Sequence, residues 1–182
     1  MKLSDTPTAL VAQCRIESPL GPLTLAATEH GLAAAWFDAQ KHHPGEMDLP
    51  ELPEHPHLAL AADEFAAYFG HAQTAFSVPL DPQGSPFQQG VWRLLLTIAP
   101  GRLATYGQLA RQLGRADGAR AVGSAVGRNP IAIIVPCHRV VGHDGALTGY
   151  AAGLPRKEFL LRHEGVLQIR APMKTQTQAA SL

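Results

Sequence analysis

Cysteine is nearly missing: only Cys14 and Cys137 occur in 182 residues, too few to hold a bridge-stapled scaffold together. The chain must fold on its core alone, which 46% hydrophobic residues allow. Long apolar runs are missing too. The longest, such as "IAIIV" at 131–135, reach strand length and fall far short of the ~18 residues that cross a bilayer, so no membrane partner is expected. No basic, apolar and small-residue leader opens the chain, which makes a reducing cytoplasm the expected compartment. Net charge is absent as well, since 15 Lys and Arg balance 15 Asp and Glu. That balance by itself neither favours nor excludes nucleic acid.

The average conceals a division. Residues 1–84 carry three basic side chains against eleven acidic ones, whereas residues 85–170 carry eleven basic against four acidic. Two modules follow, and either the second faces an anionic partner or the two attract each other. The first, 1–84 with its linker "SVPLDPQGSP", reads as three short strands punctuated by "SPLGPL" and "TEHG". A Pro-rich loop carries His42, His43, His55 and His57, which are expected in solvent. A helix follows with Leu58, Ala61, Ala62, Phe65 and Phe69 on one face. The second module, 85–168, opens on a helix capped by Ser85 with Gln88 in capping-box spacing, with Phe87, Val91, Leu94, Leu95 and Ile98 as its stripe. Two shorter helices come next, one boxed by Thr105 and Gln108 and the other beginning at Asp117, in helix-turn-helix outline. The predicted remainder is a strand at 131–135, a hairpin in "VVGHDGALTGY" that forms a wing, and a final helix closed by Gly165. Residues 169–182 are expected to be a flexible tail.

The second short helix is poor in side-chain bulk. Ala119, Ala121, Gly123, Ser124, Ala125 and Gly127 leave Arg120 and Arg128 standing out. Each glycine weakens a helix by about 1 kcal/mol relative to alanine, so the composition needs a reason. One is tight helix packing; the other is a low surface that presses into a DNA groove.

Cys137 sits between Pro136 and His138 in "IVPCHRVVG". A lone cysteine in an apolar segment is ordinarily a buried structural residue. A base beside it changes that reading, because a thiol with an ordinary pKa of ~8.5 needs a base or a positive field to become a nucleophile. In extended backbone the two side chains point apart, so a bridging water is the expected link, with Arg139 or a helix end as the source of field. Glu164, one of four acids in this module, is the candidate partner for His138, against the plainer reading of a helix-end acid in solvent.

The order of "ATYGQLA", "ARAVGSAVG", "GRNP", "PCHRV" and "TGYAAGLPRKEFLLRHEG" over residues 85–167 resembles the O6-alkylguanine-DNA alkyltransferase family, the methylated-DNA-protein-cysteine methyltransferases. The resemblance implies an α+β architecture: a small N-terminal sheet-plus-helix domain of RNase H-like type, then a helical, winged helix-turn-helix-like catalytic domain. It implies irreversible, single-turnover transfer of an alkyl group from O6-alkylguanine to Cys137, and leaves open whether O4-alkylthymine is a second substrate. Catalytic roles fall on Cys137, His138, Glu164, Asn129 as a brace and Tyr106 as proton donor. Arg120 takes the finger position in base flipping. Val140 reads the base through its carbonyl, Tyr150 walls the pocket, Ala151 offers its amide, and Gly123, Ser124 and Arg128 meet DNA. Double-stranded DNA approached through the minor groove is the implied partner of a monomer, with no cofactor. Ala151 departs from the serine of many relatives. The zinc of some relatives needs two cysteines and two histidines where this module has only Cys14, so no metal is expected. Competing readings are a non-catalytic lesion-binding protein, a Cys-His-Glu thiol hydrolase and a winged-helix regulator with Cys137 in its core.

Overall fold

The computed structural model describes residues 8–72 and 75–166; the expected tail lies outside the described residues. Strands β1 (Ala12–Ile16), β2 (Leu23–Ala27) and β3 (Leu32–Phe37) form an antiparallel meander in the order β1-β2-β3. Helix α1 (Pro56–Gly70) lies against it and buries Leu58, Ala61, Phe65 and Tyr68 at helical spacing. The loop before α1 is less exposed than expected. His42 is exposed, but His43, His55 and His57 are half-buried, His43 against the Trp36 ring at 5.8 Å.

The second half is helical. In α2 (Pro86–Leu95) both reciprocal hydrogen bonds of the Ser85–Gln88 capping box are formed. Its buried stripe includes Trp92, which the sequence reading passed over and whose indole donates to the Ala125 carbonyl at 3.0 Å. Thr105 and Gln108 likewise box the start of α3 (Tyr106–Gln112). Helix α4 (Ala119–Gly127) starts after Gly118 without a side-chain cap, so the expected start at Asp117 is two residues early. Helices α3 and α4 pack on each other and α4 on α2, and α5 (Leu154–His163) closes the domain.

Two expectations give way in the segment between α4 and α5. Residues 131–135 form no strand. Ile131 makes one parallel bridge to Ala35, its flanking groups exchanging hydrogen bonds with β3 (Ala35 N to Pro130 O, 2.9 Å; Ala132 N to Ala35 O, 3.0 Å), and the chain then turns, with Ile133 at φ 70°. A β-branched residue there is strained, and the strain lies in the segment that leads into Cys137. The wing is not a hairpin either. Val140–Val141 (β5) pairs in parallel with Ala104–Thr105 (β4), and 142–146 is a tight turn closed by Gly142 N to Ala146 O at 2.9 Å. Glycines at 142, 145 and 149 favour turns over the ladder that the apolar residues suggested.

The halves are tied at several points. Arg156 donates to the Leu20 carbonyl at 2.9 Å and stacks over the Phe37 ring at 4.7 Å, and the Lys41 amide donates to the Ala151 carbonyl at 2.9 Å. One continuous core of buried residues runs through both.

Candidate active site

The chain leaves the strained turn through Pro136 into a single 3-10 turn, Cys137–Arg139, whose three side chains are buried. The backbone is therefore not extended at Cys137, and the reason for expecting Cys137 and His138 to diverge does not hold. Asn129, just beyond α4, holds the turn from below. Its amide nitrogen donates to the carbonyls of Ile131 (3.2 Å) and Val135 (2.7 Å) and to Cys137 Sγ (3.1 Å), while its oxygen accepts from the Ile131 amide at 3.0 Å. One side chain thus fixes the loop and the sulfur together.

His138 is fully buried, with Nε2 2.9 Å from Glu164 Oε1 and Nδ1 without a protein partner. Because an ionised carboxylate only accepts, Nε2 carries the hydrogen and Nδ1 presents its lone pair. Glu164 is not a solvent acid. It is buried at the end of α5 and takes a two-pronged hydrogen bond from Arg139 (Nε to Oε2 and Nη2 to Oε1, both 2.8 Å), and Arg139 also donates to the Ile98 carbonyl. Tyr68 of α1 donates to the same Oε1 at 2.8 Å. Burial pushes the Glu164 carboxyl up, but the His138 and Arg139 hydrogen bonds and charges outweigh it and hold the group at about 2. Burial likewise lowers His138, against the pull of Glu164, which keeps the ring neutral and ready to accept.

Of the two expected sources of field at the sulfur, Arg139 or a helix end, Arg139 commits its guanidinium to Glu164. The field comes from Lys157, which the sequence reading missed. Lys157 is fully buried on α5 and donates to the carbonyls of Val140 (2.5 Å), Thr148 (2.7 Å) and Gly149 (3.3 Å). Burial lowers it to about 8, while a Cys137 thiolate would raise it. For Cys137 burial is the largest influence and raises the thiol, with Asn129, Lys157 and the amides of Cys137 and His138 lowering it. A signal for Lys157 was present: 157, 160, 161 and 164 follow helical spacing, so Lys157 and Glu164 share the buried face of α5 with Leu160 and Leu161.

A pocket of about 330 Å³ is lined in part by Tyr106, Gly123, Ser124, Arg128, Tyr150 and Ala151; Cys137, His138 and Val140 are not in its lining, and it approaches the sulfur through Tyr106 and Tyr150, which both feel the Cys137 charge. Six of the candidate site residues thus meet at one opening, with Gly127 and Gly149 beside them. Lys41 and His42 of the N-terminal loop complete it, a contribution no spacing in the sequence announces. The Tyr106 hydroxyl donates toward the Thr148 and Gly149 carbonyls at 3.3 and 3.4 Å, and its ring faces Gly123, where an added Cβ would stand 3.7 Å away. Tyr150 has a buried hydroxyl without a partner, and burial followed by the charge of Cys137 raises its pKa. The Val140 carbonyl already accepts from Lys157, and the Cys137 carbonyl from the Val140 amide. Each keeps a second lone pair. Arg120 stands exposed on α4, outside the pocket lining. Among the described residues no three His, Cys, Asp or Glu side chains gather as a metal site.

Two family models match, one described as the ribonuclease-like domain of 6-O-methylguanine DNA methyltransferase over residues 14–82 and one as its DNA-binding domain over residues 86–166. A methylated-DNA-protein-cysteine methyltransferase of Methanosarcina acetivorans is 45% identical over 82% of this chain and 95% of its own length. The protein of that name from Mycobacterium bovis is 46% identical, over 86% and 92%. Among solved structures, Mycobacterium tuberculosis OGT in complex with DNA superposes with a TM-score of 0.78 at 45% identity, covering 85% of this chain and 92% of that one. With both halves matched in order and the cysteine site assembled, the chain belongs to the methylated-DNA-protein-cysteine methyltransferase family.

Proposed function

We propose that the protein repairs DNA by moving the alkyl group of O6-alkylguanine onto Cys137. The observation that carries this reading is the orientation of His138: with Nε2 committed to Glu164, the buried Nδ1 is the atom left to take a proton, and it belongs to the residue next to the thiol. A water between Nδ1 and Sγ relays that proton. The thiolate, supported by Lys157 and Asn129, attacks the alkyl carbon in line. The carbon-sulfur bond forms as the carbon-oxygen bond breaks, and guanine departs as its proton need is met. Tyr106 gives its hydroxyl proton toward the base N3, spreading the leaving charge. The carbonyls of Cys137 and Val140 accept from the exocyclic amine, and the Ala151 amide faces O6.

The pocket has the size range of a small-ligand site and opens between α3, α4 and the 148–151 loop, so the base must leave the stack to reach it. Arg120 fills the gap left behind while the small residues of α4 lie in the minor groove, where little sequence is read. The thioether is not reversed by thiol exchange, so each molecule acts once and no cofactor takes part. A free nucleophilic thiol suits the reducing cytoplasm.

The test is incubation with an oligonucleotide carrying labelled O6-methylguanine. One label per protein should appear on Cys137, and Cys137→Ala should bind the lesion without taking label. No label on the unaltered protein under reducing conditions overturns the reading in favour of a binding protein, and equal labelling of Cys137→Ser overturns Cys137 as the acceptor.

A further inference from the structure

The relay from Cys137 to Glu164 lies wholly in the second half of the chain, yet Glu164 Oε1 accepts a third donor from the first half. Tyr68 sits on α1, 96 residues away in sequence, 1% exposed, and its hydroxyl meets the same oxygen as His138 Nε2 and Arg139 Nη2, at 2.8, 2.9 and 2.8 Å. A carboxylate oxygen offers two lone pairs, so three donors compete for it. The Tyr68 ring is itself pinned. His163 Nε2 lies 2.8 Å from the Tyr68 carbonyl, the His163 ring stands edge-on 5.2 Å away, and Phe69 and Phe76 pack within 5.6 Å. This hydroxyl therefore points at Glu164 because its surroundings leave it little else to do.

We propose that Tyr68 is a positioning residue of the transfer reaction, a hydroxyl lent by the N-terminal domain that sets how strongly Glu164 pulls on the His138 proton. The proposal rests on the His138–Glu164 relay. By taking a share of Oε1, Tyr68 weakens the acceptor that would otherwise stabilise the imidazolium, so the ring stays neutral and its Nδ1 free at lower pH. The N-terminal module then has a chemical role beyond that of a scaffold. The charged and titratable groups facing Tyr68 are few: His163 on α5 and Glu164 just beyond its end, Arg139 and His138 of the 3-10 turn, the phenol of Tyr150, and Arg93 of α2 across a cavity of about 440 Å³ that Tyr68 and Arg139 also line. Of these, Glu164 alone accepts the Tyr68 hydrogen at bonding distance among the described residues.

Tyr68→Phe keeps the ring and removes the donor. Released from one competitor, Glu164 should hold the His138 proton more tightly, and the acid limb of the transfer rate against pH should move up by about one pH unit, the scale of a single hydrogen bond to a charged group. Placing 3-fluorotyrosine at position 68 strengthens the donor without a cavity or a lost bond, and should move the same limb down. A core aromatic without a chemical role predicts no movement in either protein. Opposite shifts support the proposal, and a limb that stays in place in either variant overturns it. In Glu164→Gln the Tyr68→Phe shift should vanish, and a shift that persists there also overturns it. If the unaltered protein has no acid limb at all, the relay itself is wrong and the proposal falls with it; a limb that is present but indifferent to Tyr68 removes only the proposal.

Discussion

On the inner side of Cys137 the side chains of Asn129, His138, Arg139 and Glu164 are all buried, and each makes a hydrogen bond of 3.2 Å or less to a neighbour in the site. On the outer side Ser124, Arg128 and Arg120 are exposed, Tyr106 is half-buried, and its two hydroxyl contacts are long at 3.3 and 3.4 Å. The same sulfur thus has a rigid floor and a loosely held mouth. Proton transfer needs atoms fixed to within a few tenths of an ångström, so the floor is over-determined. A flipped base must enter and displace what is there, so the mouth is held by contacts that exchange cheaply for those of the ligand. Lys157 joins the two, since it donates to Val140 on the floor and to Thr148 and Gly149 in the rim, where the same two carbonyls receive Tyr106.

The contrast can be broken from either side. The largest effect is expected from Glu164→Ala, which leaves the Arg139 guanidinium buried and unpaired. Such losses cost ~3–5 kcal/mol, read by denaturant unfolding, and transfer should be lost as well. The sign of the pH dependence follows from the same carboxyl. Its folded value of about 2 lies below the ordinary 4.5, so its contribution is full above pH 4.5 and fades as pH falls toward 2. Unfolding of the unaltered protein should show that slope and Glu164→Ala should lack its share of it.

Lys157→Met tests the link between floor and mouth. With the ammonium gone, the thiolate loses the cation whose charge lowers its pKa, and both alkyl transfer and the reaction of Cys137 with iodoacetamide at pH 7 should slow about tenfold, equivalent to ~1.4 kcal/mol. Slowing of transfer alone would mean that Lys157 only shapes the rim. At the mouth, Arg120→Ala should slow repair of duplex DNA by about tenfold and leave the reaction with free O6-alkylguanine within about twofold. Equal loss on both substrates would remove its assignment as the finger. The smallest effect is expected at Gly123→Ala: the new Cβ would meet the Tyr106 ring at 3.7 Å, an ordinary contact, so the helix should gain up to about 1 kcal/mol while repair changes little. A large loss of repair with unchanged stability would show that DNA comes closer to α4 than a methyl group allows.

Features governed by neighbours in the chain were legible beforehand. The capping boxes at Ser85 and Thr105 are written in four residues each and formed as read. The scarcity of side-chain bulk on α4 is likewise written in its own residues. The strand expected at 131–135 failed because apolar β-branched residues suit a strand wherever one exists, and here a bridge to Ala35 and the hydrogen bonds of Asn129 turn the chain instead. The hairpin wing failed for a related reason, its partner being β4 rather than its own continuation.

The sequence alone determined that a cysteine stands beside a base among recognisable helix signals, because these features span only a few residues. Tertiary structure decided how those side chains are charged. Tyr68 meets Glu164 across 96 residues, Arg139 turns from the sulfur to the carboxylate, and Lys157 is buried with its charge against three carbonyls. Hydrogen-bond competition and desolvation depend on what lies within a few ångströms in space, and no spacing along the chain specifies that.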